Sequence, residues 1–137
     1  MKLKTAIIAT IFLQVGTAFA AAPNLVGTWE AVSGYWASTG TDSKPAPAEL
    51  AQKPVQKKLV IQAQQGNAFN GASIRYTGES RLLAGVIAAD GKSLLFSTDY
   101  GISSGSLSKD NSQINFCGTT IELNRNMAYC TTFQKVK

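Results

Sequence analysis

The chain has 137 residues, with 13 Lys and Arg against 8 Asp and Glu, two cysteines and no histidine. That length supports one domain, and neither a transmembrane helix nor a disordered-type composition is present. Without histidine there is no Ser-His-Asp or Cys-His catalytic set and no His-based zinc site, which weighs against an enzyme.

The chain opens on Met1-Lys2-Leu3-Lys4, followed by the apolar run Ala6 to Val15 and the small-x-small sequence Ala18-Phe19-Ala20. This is the pattern of a secretory signal peptide over residues 1–20. The run is too short to span a bilayer. Cleavage after Ala20 removes Lys2 and Lys4 and no acid, which lowers the net charge from +5 to +3. The expected location is therefore periplasmic or secreted, with residues 21–137 as the working domain and no membrane contact after processing.

The remaining chain reads as strands separated by turn signals. Leu25 to Val32 is the first expected strand. Ala37 to Pro54 follows as a long loop with three of the four prolines, carrying a short helical turn at Ala48 to Gln52. Val55 to Gln64 and Ala68 to Thr77 flank Gln65-Gly66-Asn67, a tight turn. Leu82 to Ala89 and Ser93 to Thr98 flank Asp90-Gly91, a hairpin signal in which both central residues are expected at positive φ. Ile102 to Ser108 and Gln113 to Cys117 flank Lys109-Asp110-Asn111-Ser112, and Met127 to Val136 is the last strand. Short strands at even spacing suggest an all-β protein, an eight-stranded antiparallel up-and-down (meander) barrel.

Connections alternate between the two ends of a meander. Three short turns then fall at one end. The long loop, Gly78-Glu79-Ser80, Asp99-Tyr100-Gly101 and Gly118 to Asn126 fall at the other. The expectation is a cup with one pinched end and one open mouth. Tyr35, Trp36, Tyr76, Arg81 and Tyr100 are the candidate ligand-rim residues, with Glu79, Asp99 and Arg125 beside them. Aromatics with a few charges at a rim can orient a small amphiphile. They can equally anchor a protein partner, or simply cap strand ends.

Cys117 and Cys130 are an even pair in a chain with an export signal, which implies a disulfide. Two thiols are too few for a metal site. The expected bridge joins the last two strands at the mouth end. The eight acids are scattered singly, which suits surface and turn positions better than a catalytic pair. Lys53, Lys57 and Lys58 make one basic run, far short of a nucleic-acid surface. No cofactor or metal is implied, and the sequence carries no reading of oligomeric state.

Gly27-Thr28-Trp29, opening the first strand, resembles the G-x-W signature of the calycins, the group of lipocalins, fatty-acid-binding proteins and avidins. Thr132 to Lys137 resembles the last strand of streptavidin-type avidins. The resemblance implies a small meander barrel in which Trp29 plugs the closed end with Lys135 packed near it, a cation–π contact of about 0.5–2 kcal/mol. Gly85 to Lys92 with the paired cysteines is similar to small exported bacterial barrels of unassigned function. The avidin site itself is not matched. No tryptophan follows Trp36, Ala31 stands where the family carries a ureido-binding asparagine, and Thr131 stands where it carries an aspartate. Biotin left without those partners would lose hydrogen bonds of about 1–3 kcal/mol each.

Two readings follow. One is an exported, non-catalytic barrel that binds a small molecule at its open end. The other is a protein–protein module, such as a protease or lysozyme inhibitor presenting the proline-rich loop Ser43 to Pro54. A third, an enzyme using two rim carboxylates, ranks last. A roomy apolar cavity would favour the first, and a solidly packed barrel with a rigid exposed loop the second.

Overall fold

The computed structural model describes residues 21–39, 49–122 and 125–137. The expected signal peptide and residues 40–48 of the long loop lie outside them. The described residues form strands only: β1 (Gly27–Ser38), β2 (Glu49–Ala51), β3 (Gln56–Gln65), β4 (Ala68–Arg75), β5 (Ser80–Ile87), β6 (Ser93–Thr98), β7 (Gly101–Leu107), β8 (Gln113–Glu122) and β9 (Arg125–Lys135). Each pairs antiparallel with its sequence neighbours from β3 to β9, and β9 pairs with β1 to close the barrel.

Nine segments make an eight-stranded barrel because β2 and β3 share one position. The lower half of β1 pairs with β3 (Trp29 with Leu59), and its upper half pairs with β2 (Trp36 with Ala51). Gln52 to Val55 forms the kink between them, and Pro54 presses against Gly34, where a Cβ would meet the Pro54 Cα at 2.7 Å. The helical turn expected at Ala48 to Gln52 is thus strand over Glu49–Ala51. The backbone groups of upper β1 need a partner on that side, and an extended segment supplies one where a helical turn cannot.

Three strands run past the ends that the residue pattern suggests. β1 continues to Ser38 because a bulge between Ala31 and Ser33 shifts its phase by one residue. β8 and β9 pair from Gln113 with Gln134 up to Glu122 with Arg125, so the expected connection Gly118 to Asn126 is mostly hairpin. The β6–β7 link is also short, with Thr98 paired to Gly101. Only the β1–β2 connection at the mouth end is long.

The closed end agrees with the expected turns, with one change of geometry. Gly91 has φ 68° and Asn111 has φ 59°, while Asp90 and Asp110 keep negative φ. Both loops span four residues, closed by Ala88 N donating to Ser93 O and Ser108 N to Gln113 O. One left-handed residue, not two, is what a four-residue loop needs. The aspartate carboxylates organise the rest. Asp90 accepts from Lys92 N and Ser93 N, and Asp110 from Ser112 N and the Ser108 hydroxyl. Lys92 Nζ then donates to Ser108 O, Lys109 O and Asn111 Oδ1, tying one turn to the next.

Inward positions divide the barrel into an apolar base and a polar top. Leu25, Trp29, Leu59, Ile61, Phe69, Leu94, Phe96, Ile114, Phe116 and Phe133 fill the lower part. The Phe116 and Phe133 rings stack with centroids 5.1 Å apart, and Phe96 links Phe116 to Phe69 at 5.5 Å each. Trp29 is fully buried, its Nε1 donating to Leu25 O at 2.9 Å. Lys135 Nζ lies 5.2 Å from the centre of its ring and donates to Asn24 O. Toward the mouth the inward residues turn polar: Ser38, Ser73, Ser103, Thr120 and Thr131 are all buried.

Candidate functional site

The mouth is built by three inward residues and one loop residue. Ser73 and Arg81 are register partners of β4 and β5, so Arg81 points into the barrel above Leu83. Arg75 follows two residues after Ser73 on the same face. Tyr100, in the two-residue β6–β7 link, folds over the opening. The Arg81 guanidinium carbon is 4.0 Å from the centre of the Tyr100 ring and that of Arg75 is 5.5 Å away. Arg81 also bonds the Tyr100 hydroxyl, Glu79 and, at 2.8 Å, Asp99. Partial burial works against the Arg81 charge, but Asp99 and Glu79 outweigh it and hold its pKa above the ordinary guanidinium value. The two carboxylates at the rim are therefore both engaged by one arginine.

Beneath this cork the barrel is nearly full. Gln56, Ser73, Thr98, Thr120 and Tyr129 line a remaining space of about 20 Å³, room for roughly one water molecule. Tyr129, which lines it, shares a hydrogen bond of 3.0 Å with Ser103, and the Thr120 hydroxyl donates to Tyr100 O at 3.0 Å. Arg81 Nε and Gln56 Oε1 are buried there without a protein partner.

The larger concavity is on the outside. Tyr35, Cys130, Cys117 and Ser104 are successive register partners across β1, β9, β8 and β7, all on the outer face. Ala37, Ala128, Thr119 and Ile102 form the neighbouring outer row. Small side chains along these rows, with Tyr35 at one end of the first and Ile102 at the opposite end of the second, shape a groove of about 950 Å³. The Cys117–Cys130 disulfide, with Cα atoms 4.0 Å apart, is part of its floor. Tyr35 and Ile102 stand at its sides, 63% and 62% exposed. Ala51 and Gln52, after β2, border it at the mouth end.

The five candidate rim residues do not gather at one place. Arg81 and Tyr100 meet in the mouth. Tyr76 is exposed at the mouth edge, with Lys53 Nζ 5.2 Å from its ring centre. Trp36 turns inward beside Tyr129, its register partner. Tyr35, one residue earlier, faces out into the groove. Glu79 and Asp99 lie with Arg81, and the side chain of Arg125 lies outside the described set. The disulfide pairs as expected but sits midway along β8 and β9, over Phe116 and Tyr129, because those strands run past it. Ile102, Ala128 and Thr119 had no part in the sequence reading. Their signal was the outward phase of β7 to β9, legible only once the strand lengths are known. Among the described residues no three Cys, Asp or Glu side chains gather into a group that could hold a metal ion.

No protein-family model matches the chain, and no curated protein or solved structure matches it either. The closed eight-stranded meander is compatible with a calycin-like fold.

Proposed function

We propose that the protein is an exported, non-catalytic binding barrel of calycin-like fold whose partner is another protein, met at the barrel's outer surface. The filled interior carries this reading. A cup for a small molecule needs a few hundred cubic ångströms of apolar space, and the mouth holds about 20 Å³ behind Arg81 and Tyr100. The groove beside the disulfide is open, apolar and already formed, and its exposed Tyr35 is the kind of rigid side chain that anchors protein contacts. The alternative of a small ligand at the mouth would require Tyr100 and Arg81 to move aside together.

Native mass spectrometry of the protein recovered from the compartment it is exported to tests this. A complex with a second polypeptide, weakened by Tyr35→Glu, is expected. A stoichiometric small molecule that survives Tyr35→Glu but is lost in Tyr100→Ala would overturn the proposal in favour of the cup.

A further inference from the structure

The outer wall has a property that points to the identity of the partner. The outward residues of β5 are Leu82, Ala84 and Val86, and those of β6 are Ser93, Leu95 and Ser97. On β7 they are Ile102, Ser104 and Ser106. On β8 and β9 the outward rows run through Asn115, Cys117 and Thr119, and through Ala128, Cys130 and Thr132. None of these positions carries a charge. The described charged side chains sit elsewhere: at the closed end (Asp90, Lys92, Lys109, Asp110, Lys135, Lys137), at the mouth (Lys53, Arg75, Glu79, Arg81, Asp99), or on the β1–β3 side (Glu30, Lys57, Lys58). Glu30 and Lys58 pair there at 2.8 Å.

We propose that this uncharged wall, centred on the groove, is where the chain pairs with a second copy of itself. The inference rests on the outer-surface reading above and names its partner. Two features favour a copy over a different protein. In a two-fold contact the same patch of each copy meets the other, residue i against j and j against i. A wall with charges of one sign would therefore face like charge, at a cost of several kcal/mol. A chain that keeps a net charge of +3 after the expected cleavage avoids that repulsion through a charge-free surface, and among the described side chains this wall is one. The wall also carries both halves of a fit. Its groove is floored by small residues, and Ile102, Leu95 and Tyr35 project beside it, each at least 50% exposed. With the two-fold axis along β8 beside Thr119, Ile102 of each copy enters the groove of the other.

Sedimentation velocity over a wide concentration range tests the pairing, on the oxidised chain as recovered from the expressing cell with its N-terminus identified by mass. A dimer is expected. Thr119→Lys and Ile102→Lys should each weaken it by about a hundredfold or more, the first by setting lysine near lysine at the axis and the second by putting a charge into the other copy's groove. Both positions face outward, so circular dichroism and the melting transition should stay close to the parent's. Lys57→Glu, on the β1–β3 side away from the wall, should leave the dimer intact. A photo-crosslinking residue at Ser104 should capture a second copy of the chain. A monomer at every concentration overturns the pairing, and so does a dimer indifferent to both wall lysines. In either case the broader proposal of an outer-surface protein partner is still decided separately, by the native mass spectrum of the Tyr35→Glu variant.

Discussion

The Arg81 guanidinium carbon sits 4.0 Å from the centre of the Tyr100 ring, and the two side chains together cork the barrel at the end opposite Trp29. Arg81 is anchored by Glu79 and Asp99, which belong to different connections, so the cork also ties the β4–β5 and β6–β7 loops together. Removing the ring should loosen both. Tyr100→Ala is expected to cost about 1–2 kcal/mol, less than truncation of a fully buried aromatic. Backbone amides of Ser73 and Thr120 should exchange faster while those of β3 near Leu59 keep their protection. Unchanged exchange at Ser73 and Thr120 would show that Tyr100 does not seal the mouth.

Gly85 lies beneath the Phe69 ring: a Cβ there would meet Phe69 Cζ at 2.3 Å and Leu95 O at 2.9 Å. Gly85→Ala should therefore cost roughly 1–3 kcal/mol through overpacking. Phe69→Leu leaves room for the new methyl, so the double variant should be less destabilised than the sum of the two single ones. Urea unfolding of the four proteins measures the coupling, and strict additivity would place the strain elsewhere.

The disulfide closes a loop with a sequence separation of 13 between its cysteines. The chain-entropy model assigns such a crosslink about 3 kcal/mol. Replacing both cysteines with serine should lower unfolding stability by about 2–4 kcal/mol without changing the fold. Phe116 and Tyr129 pack beneath the bridge, and the hairpin keeps its register pairs on both sides of it. A near-native circular dichroism spectrum with a lower urea midpoint is the expected result.

Asp110 is held at a pKa of about 2, against an ordinary 3.8, by hydrogen bonds from the Ser108 and Ser112 hydroxyls and from Ser112 N. Asp90 is lowered in the same way, through the Ser93 hydroxyl and the Ser93 and Lys92 amides. A carboxylate whose folded pKa is depressed stabilises the fold above its unfolded value and loses that contribution as pH falls through the folded one. Stability should thus decline from about pH 4 toward pH 2. Asp110→Ala should be less stable at neutral pH and show a shallower acid decline. Thermal melts across that range provide the measurement, and parallel curves for the two proteins would contradict the assignment.

Much of the barrel was legible because side-chain alternation and turn residues are local signals. Trp29 and Lys135 were paired by the resemblance to streptavidin-type avidins, and Cys117 and Cys130 by their spacing about a hairpin. What was misread has local causes too. The bulge at Ala31 to Ser33 breaks the alternation, so the strand seemed to end at Val32. Gly118, read as loop, is in fact inward strand: a Cβ there would meet Ser103 Oγ at 2.1 Å, and the missing side chain leaves space for the Ser103–Tyr129 hydrogen bond. β2 has too few residues to show any period, and only the unpaired edge of upper β1 explains it.

The candidate site shows the same division more sharply. Residue types along the chain determined an all-β meander, its closed end, its crosslink and the set of aromatic and charged residues near the mouth. Which way each of those residues points was decided by tertiary structure. A one-residue change of phase sends a side chain to the opposite face of a strand, and that is why Tyr35 faces the outer groove while Trp36 faces the core. Whether the mouth is open depended on distances between Arg81 on β5 and Asp99 and Tyr100 in the β6–β7 link. The charge-free wall is likewise a property of five strands laid side by side. Each strand contributes only two or three outward residues, too few for any one of them to reveal a surface.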